Sequence, residues 1–198
     1  MLSNLSNYHI ILASNSPRRK ELLAGLGIDF SVKTLPDIDE SYPSDLVGEQ
    51  ISLYISKEKA DAYIPLMADD EMVITADTIV YLHNDDGTGT VLGKPTDTND
   101  ARHMLRMLSG RQHQVITGVT ICTKKKTRSF AVTSLVSFAN LSDEEIDYYI
   151  SHYRPFDKAG AYGIQEWIGF IGVNGLSGSY FNVMGLPVQR LYEELKNW

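Results

Sequence analysis

One segment of the chain is suited to binding phosphate: Ser14-Asn15-Ser16-Pro17-Arg18-Arg19, where an apolar strand gives way to a predicted helix. The first turn of a helix presents unpaired backbone N–H groups and the positive end of the helix dipole. Ser14 and Ser16 add hydroxyl donors, and Arg18 and Arg19 can grip phosphate oxygens in pairs. The alternative is a plain helix cap followed by surface arginines, but cations in a first turn oppose the dipole, which favours phosphate binding. The segment is not a P-loop, because the GxxxxGK[ST] pattern is missing from the sequence.

A second candidate is the carboxylate of Asp77, which interrupts a nearly continuous apolar run from Met72 to Leu82. A buried carboxylate is costly unless it pairs with a cation or binds metal. Asp77 is therefore either part of an active centre, where it would bind Mg²⁺ and orient or deprotonate a water, or an ion-paired core residue. The acidic loop Asp37-Ile38-Asp39-Glu40 offers further oxygen ligands, although such a cluster taken alone is more often a solvated turn.

Lysine and glutamine side chains next to glycines form a third group of candidates. Lys94 follows Gly93, and Lys158 lies in Asp157-Lys158-Ala159-Gly160, so either lysine could neutralise a polyphosphate or lie on the surface. The amide of Gln165, in Tyr162-Gly163-Ile164-Gln165, could bond the edge of a nucleobase with a donor and an acceptor; the alternative is a turn with a buried tyrosine. A zinc hydrolase is disfavoured because neither HExxH nor CxxC occurs.

The elements that must position these residues follow from hydrophobic periodicity and helix caps. Strands are predicted at 9–13, 30–32, 72–82, 115–123 and 128–138, and helices at 18–26, 45–64, 99–108, 142–152 and 187–195. Ser16 is the predicted N-cap of the first helix, and Ser142 and Glu145 form a capping box. Residues 84–90 read as a turn-rich loop, and 160–185 as a glycine-rich stretch. Strands alternating with helices, plus a hairpin, predict a mixed α/β sheet.

The bulk properties narrow the function classes. The chain has 198 residues and a net charge of −7, which argues against a protein that coats DNA, RNA or anionic lipid but permits a small anionic ligand in one cleft. Cys122 is the only cysteine, so no intrachain disulfide is expected. The apolar run at 9–13 is too short for a signal peptide, and we expect a cytoplasmic protein of one domain, with two lobes as the alternative.

Several motifs together resemble the Maf family of nucleotide pyrophosphatases along nearly the whole chain. The motifs are Leu12–Arg19, Ala76–Val80, Leu92–Pro95, Leu108–Gly110 with His113, Thr117–Val119, Asp157–Gln165, Gly178–Tyr180 and Gly185–Pro187. Their common order is more specific than any one of them alone. The resemblance implies a mixed, twisted α/β sheet flanked by helices, with two lobes around a cleft, similar to inosine-triphosphate pyrophosphatases and formed by one domain over residues 1–198.

The resemblance also implies an activity, which is hydrolysis between the α- and β-phosphates with a divalent cation, Mg²⁺ or Mn²⁺. By position it makes Asp77 the proton acceptor and associates Arg18, Thr78 and Gln165 with substrate choice. The positions that it assigns to the phosphate and metal pocket are Ser14, Arg19, Glu40, Lys59, Lys94 and Lys158. The predicted site also includes Ser16 and Arg18 as phosphate-binding residues. Its metal ligands are Glu40 and Asp77.

Within the family, residues 157–165 are similar to the branch that acts on dTTP and UTP, so the expected partner is a nucleoside triphosphate, without nucleic acid or membrane. Two alternatives stay open: an enzyme of the 7-methyl-GTP type, and a non-catalytic nucleotide-binding regulator of septum formation. The segments 82–90 and 166–176 match no typical form of the family. The aromatic residues Trp167, Phe170, Tyr180 and Phe181 are either a homodimer face or part of the core.

Overall fold

A computed structural model describes residues 2–84 and 87–198, and within them seven strands form one sheet that helices flank. The strands are β1 His9–Leu12, β2 Ser31–Val32, β3 Glu71–His83, β4 Gly89–Leu92, β5 Gln112–Cys122, β6 Thr127–Phe138 and β7 Val173–Ser177. The helices are α1 Pro17–Ala24, α2 Glu49–Tyr63, α3 Thr98–Leu108, α4 Asp143–Tyr153, α5 Trp167–Gly172, α6 Tyr180–Met184 and α7 Val188–Lys196. Short 3₁₀ turns lie at Ser3–Leu5, Ile64–Leu66 and Ala159–Ala161.

The sheet is mixed, with the strand order β2-β1-β3-β5-β6-β7 and with β4 paired to β3. β1 runs parallel to β2 and to β3, and Ile11 lies opposite Val73. β3 and β4 are antiparallel, with Tyr81 opposite Val91, and β6 and β7 are antiparallel as well. The predicted mixed α/β sheet flanked by helices is therefore confirmed.

The chain divides into two compact units, each with its own core. Unit 1 comprises the residues up to Asp77, Thr117–Val132 and Gly185–Trp198, and unit 2 comprises Thr78–Ile116 and Thr133–Met184. In unit 1, Ile11 on β1, Tyr63 on α2 and Val73 on β3 belong to one packed cluster. In unit 2, Leu105, Tyr149 and Ile168 belong to a larger cluster that joins α3, α4 and α5 to the sheet.

The helix caps follow the prediction, but the start of α2 does not. Ser16 caps α1 by accepting a hydrogen bond from the backbone N–H of Arg19, and Ser142 and Glu145 form the complete capping box of α4. The prediction of a helix from residue 45 was wrong, since α2 begins at Glu49. Gly48 has φ +53° and ψ −121°, so the backbone before Glu49 leaves the helical region.

The glycine-rich stretch contains α5, β7 and α6, none of which the pattern predicted. Gly169 explains the composition in part, because a Cβ there would lie 1.8 Å from the carbonyl oxygen of Ile164. Of the aromatic residues in the stretch, Trp167 packs against the core of unit 2, whereas Phe170 is 83% exposed. Core packing therefore accounts for Trp167 and not for Phe170.

The predicted loop over 84–90 is only partly described, since residues 85 and 86 lie outside the described residues; β4 begins at Gly89. None of the helices in the described part of the chain is long and apolar enough to cross a membrane.

Candidate active site

The predicted site residues fall into two groups, one in each unit. Unit 1 holds the loop Ser14–Arg19 together with Glu40, Lys59 and Asp77, and unit 2 holds Thr78, Lys94, Lys158 and Gln165.

The Ser14–Arg19 loop joins β1 to α1 and is ordered by its own hydroxyls. The backbone N–H of Ser16 donates to Ser14 Oγ at 3.2 Å, and the N–H of Arg19 donates to Ser16 Oγ. Ser14 is buried, while Ser16 and Arg18 are half-buried. The loop therefore has the strand–loop–helix geometry that phosphate binding at a helix N-terminus requires.

Arg19 ties this loop to the strand that carries Asp77. Its Nε donates to the carbonyl of Gly185 and its Nη1 to the carbonyl of Ala76, each at 2.8 Å. Burial lowers the pKa of the Arg19 guanidinium from its usual value, and the negative charge of Asp77 opposes that shift. Because Ala76 precedes Asp77, Arg19 fixes the backbone next to the candidate catalytic carboxylate.

Lys59 connects the two predicted carboxylates. Its Nζ, on α2, lies 2.9 Å from Asp77 Oδ1 and 2.8 Å from Glu40 Oε1. The side chains of Lys59 and Asp77 are only 12% and 13% exposed, whereas that of Glu40 is 51% exposed. Asp77 is thus a largely buried, ion-paired carboxylate on β3. Glu40 contacts the same lysine from the solvent-exposed side of the cluster.

The rest of the acidic loop is turned toward its own backbone. Asp39 accepts hydrogen bonds from the N–H and the hydroxyl of Ser41, and the backbone bond is the main reason that the pKa of Asp39 is lowered. Ile38 packs against the core of unit 1. Glu40 is the residue of this loop that forms an ion pair with Lys59, and it is therefore the loop's contribution to the candidate site.

The donor set at Lys59 fits a hard divalent cation. Mg²⁺ in proteins is commonly held by one or two carboxylates together with substrate phosphates and water, and Glu40 and Asp77 supply two carboxylates around one point of positive charge. Within residues 2–84 and 87–198, no group of three or more His, Cys, Asp and Glu side chains is placed to hold a metal ion. The protein would therefore supply only part of the coordination.

In unit 2, Lys158 is a buried cation between two acids. Its Nζ lies 2.7 Å from Asp157 Oδ1 and 3.1 Å from Glu166 Oε1. Glu166 accepts a very short hydrogen bond from the phenol of Tyr149, which also accepts from the N–H of Gly163. Burial, and then the contact with Glu166, raises the pKa of Tyr149 far above its usual value, so the phenol stays a donor.

The two lysine–glycine motifs of unit 2 meet through their backbones. The N–H of Gly160 donates to the carbonyl of Gly93 at 3.0 Å, which brings the segment of Lys158 to the segment of Lys94. Gly160 has φ +68°, and a Cβ there would lie 2.8 Å from Val80 Cγ2, so the close approach requires glycine. Lys94 itself is exposed.

Gln165 and Thr78 are half-buried in unit 2. The side-chain oxygen of Gln165 is buried and has no hydrogen-bond partner among the described residues. A buried amide oxygen without a donor costs about 1–3 kcal/mol, so this atom is suited to accept a bond from a ligand.

Sequence reasoning missed Tyr149 and Glu166, the residues that hold Lys158. Glu166 directly follows Gln165, and this adjacency was the available signal. Tyr149 lies 17 residues from Glu166, on α4, so no local pattern could connect the two.

Known proteins that are similar to this chain were found at the levels of family, sequence and structure. The family model described as Maf-like protein matches residues 9–198. A dTTP/UTP pyrophosphatase of Phocaeicola vulgatus is 66% identical over 196 residues, covering 99% of each chain. A dTTP/UTP pyrophosphatase of Bacteroides fragilis (strain YCH46) is 60% identical over 196 residues, again covering 99% of each.

Among solved structures, a HAM1 protein from Coxiella burnetii is similar with a TM-score of 0.50 and 13% identity, covering 96% of this chain and 100% of that one. At this identity the likeness concerns the fold alone.

Proposed function

Because the chain belongs to the Maf-like protein family, we propose that it hydrolyses nucleoside triphosphates, with dTTP and UTP favoured, to the nucleoside monophosphate and pyrophosphate. The names of relatives that are 60–66% identical over nearly the full chain support this substrate class. The observation that carries the proposal is the cluster of Lys59 with Asp77 and Glu40, whose strand Arg19 ties to the predicted phosphate loop. The whole chain, residues 1–198, acts in this proposal as one enzyme domain in the cytoplasm, with no nucleic acid or membrane partner.

In the proposed reaction a water attacks the α-phosphorus. The new bond joins the water oxygen to the α-phosphorus, the bond from that phosphorus to the α–β bridging oxygen breaks, and pyrophosphate leaves with the electron pair. The proton of the water passes to the carboxylate of Asp77, whose Oδ1 already accepts from Lys59. Arg18, Lys59 and the N–H groups of the Ser14–Arg19 loop stabilise the charge on the phosphates, so catalysis is mostly positioning and electrostatics.

A divalent cation, Mg²⁺ or Mn²⁺, belongs to this proposal. Glu40 and Asp77 would hold it, and when bound it neutralises part of the charge of the triphosphate. The two carboxylates around Lys59 support the assignment.

Preference for uracil and thymine is assigned to unit 2. The buried oxygen of Gln165 is an acceptor, and uracil and thymine present an N3–H donor at the edge where cytosine presents an acceptor. Thr78 is proposed to contact the base as well, and Lys94 and Lys158 to contact the phosphates.

The proposal is tested by pyrophosphate release from dTTP, UTP, CTP, dATP, GTP and 7-methyl-GTP, with Mg²⁺ or Mn²⁺. Wild-type protein is expected to turn over dTTP and UTP selectively. Asp77→Asn is expected to lower the rate by about 10²–10⁴-fold, the range for loss of a general base.

Asp69→Asn is the matched control, because Asp69 also pairs with a lysine, Lys124, but is 88% exposed. It should retain the wild-type rate. Activity that survives in Asp77→Asn would remove Asp77 from the mechanism. Preference for 7-methyl-GTP would overturn the pyrimidine assignment, and absence of turnover with every nucleotide would leave a binding role.

A further inference from the structure

One face of α2 is lined by hydroxyl groups and carries Lys59. Ser52, Ser56, Lys59 and Tyr63 follow one another at spacings of four, three and four residues, which places them on the same side of the helix. Ser52 and Ser56 are completely buried. The phenol of Tyr63 donates to the carbonyl of Lys33 and accepts from the N–H of Leu35, so it anchors the C-terminal end of this face.

The facing strand carries a matching pair of residues. Thr75 and Asp77 are two residues apart on β3, and side chains at this spacing point to the same side of a sheet. The hydroxyl of Thr75 donates to the backbone carbonyl of Ser56 at 2.6 Å, and Asp77 Oδ1 accepts from Lys59 Nζ at 2.9 Å. Helix and strand are therefore joined by two successive contacts, of which the first is fixed entirely within the buried interior.

The neighbouring strand β5 allows α2 to lie this close. A Cβ on Gly118 would lie 2.3 Å from the carbonyl oxygen of Ser52 and 2.7 Å from the N–H nitrogen of Leu53. Both are backbone atoms, so any side chain at residue 118 would have to move the helix. Gly118 thus sets the height of α2 above the sheet.

A second hydroxyl contact reinforces the first. Thr120, two residues after Gly118 on β5, is fully buried, and its Oγ1 lies 3.1 Å from Ser56 Oγ and 2.8 Å from Ser129 Oγ on β6. Two strands, β3 and β5, thereby hold the turn of α2 that precedes Lys59, and Ser129 on β6 supports Thr120 from behind. Buried polar networks whose members are all hydrogen-bonded rigidify a core and specify one arrangement of it.

From these contacts we infer that Thr75 and Gly118 are positioning residues for the catalytic cluster: they set the register and the height of α2 so that Lys59 meets Asp77. The expected effect of these residues on turnover rests on the proposed function. Their expected effect on the position of Lys59 does not. Neither residue contacts the reacting atoms in the proposal, and both act through Lys59.

The structural consequence is measured without turnover, by the rate at which an amine-reactive acetylating reagent modifies Lys59 in the folded protein. Lys57, two residues away and 55% exposed, is the internal reference in the same mass spectrum. Thr75→Val keeps the shape of the side chain and removes the hydroxyl, so the Lys59-to-Lys57 ratio should rise several-fold. Gly118→Ala should raise it as well, and it serves as the second variant if Thr75→Val does not fold.

Thr123→Val is the matched control. Thr123 is a buried threonine of unit 1, and its hydroxyl bonds are within the turn that joins β5 to β6. It should lose comparable stability while the Lys59-to-Lys57 ratio stays at the wild-type value. Thr75→Ser, which keeps the hydroxyl, should also retain the wild-type ratio.

The kinetic consequence separates this inference from the proposed function. Thr75→Val should lower kcat on the order of 10- to 100-fold, with a smaller change in KM, because a misplacement of about 1 Å has effects of this size. In a Lys59→Met background the same substitution should cause no further loss, since residues that act through one another are not additive.

A Thr75→Val protein with the Lys59 reactivity and kcat of Thr123→Val would overturn the positioning role and leave the proposed function untouched. If no protein of the series, including the wild type, releases pyrophosphate, the proposed function is overturned. The positioning role is still supported in that case if Thr75→Val raises the reactivity of Lys59.

Discussion

Replacing Lys59 by methionine removes a buried positive charge while keeping most of the side-chain volume. In the folded protein the ammonium of Lys59 pairs with Asp77, 13% exposed, and with Glu40, 51% exposed. The half-exposed Glu40 can turn toward water once its partner is lost. Asp77 cannot do so on its strand, so the substitution leaves its carboxylate in the interior of unit 1 without its ion-pair partner.

The size of the effect follows from that burial. Breaking a buried ion pair by removing one partner costs about 3–5 kcal/mol, against about 0.3–0.5 kcal/mol for an exposed pair one turn apart on a helix. The charge of Arg19 also acts on Asp77 and compensates part of the loss, so we expect about 3 kcal/mol. For a protein of this length that is a fall in Tm of about 6–12 °C.

The assay is urea unfolding of four proteins: wild type, Lys59→Met, Asp77→Asn and the double variant. Because the cost comes from the unpaired carboxylate, Lys59→Met should be far less destabilising in the Asp77→Asn background. Lys57→Met is the matched control, since Lys57 lies on the same helix and pairs with Asp61 at the surface, with side chains 55% and 38% exposed. Equal costs of Lys59→Met in both backgrounds, or equal costs at residues 57 and 59, would refute the reasoning.

Three further predictions concern unit 2. Burial lowers the pKa of His113 to about 4, so protonation favours the unfolded chain, and stability present above pH 6.5 should fall by about 3 kcal/mol toward pH 4. Urea unfolding across that range checks this, and the slope should shrink in His113→Gln but not in the exposed-surface variant His103→Gln. Tyr149→Phe leaves a carboxylate oxygen of Glu166 and a backbone N–H without their partner, and should cost about 1–3 kcal/mol in the same assay. Gln165→Ala should lower kcat/KM for UTP about tenfold or more and reduce the preference for UTP over CTP, which a nucleotide panel measures; an unchanged preference would remove Gln165 from base selection.

Local signals predicted the local parts of the fold. The caps at Ser16 and Ser142 involve residues one turn apart, so their partners are visible in the sequence. The start of α2 was misplaced because residues 45–48 are compatible with a helix, and only the backbone of Gly48 excludes them. Helix α5 was not predicted because its glycines do not indicate a helix. Gly169 is required by its close approach to the carbonyl of Ile164, and contacts of this kind leave no periodic pattern in the sequence.

The candidate site divides in the same way. Asp77 could be singled out because a carboxylate in an apolar strand needs a partner, and the structure supplies that partner in Lys59. The identity of the partner could not follow from spacing, since Lys59 lies 18 residues away on a helix. Thr75 gave no signal at all, because a β-branched residue in a strand is what β-propensity alone would select.

The composition of the α2 face now has a physical explanation. A leucine in place of a buried serine would gain about 1.5–3 kcal/mol from burial, whereas one hydroxyl bond contributes about 0.5–1.5 kcal/mol. Burial alone would therefore favour a leucine at residue 56, whereas at residue 52 the helix backbone already lies against Gly118. Ser56 gives up part of that stabilisation, and in exchange its hydroxyl is bonded to Thr120, next to the backbone carbonyl that accepts from Thr75. These bonds hold α2 against two strands one turn before Lys59, and a shift of the helix that carried the ammonium of Lys59 away from Asp77 would have to break them.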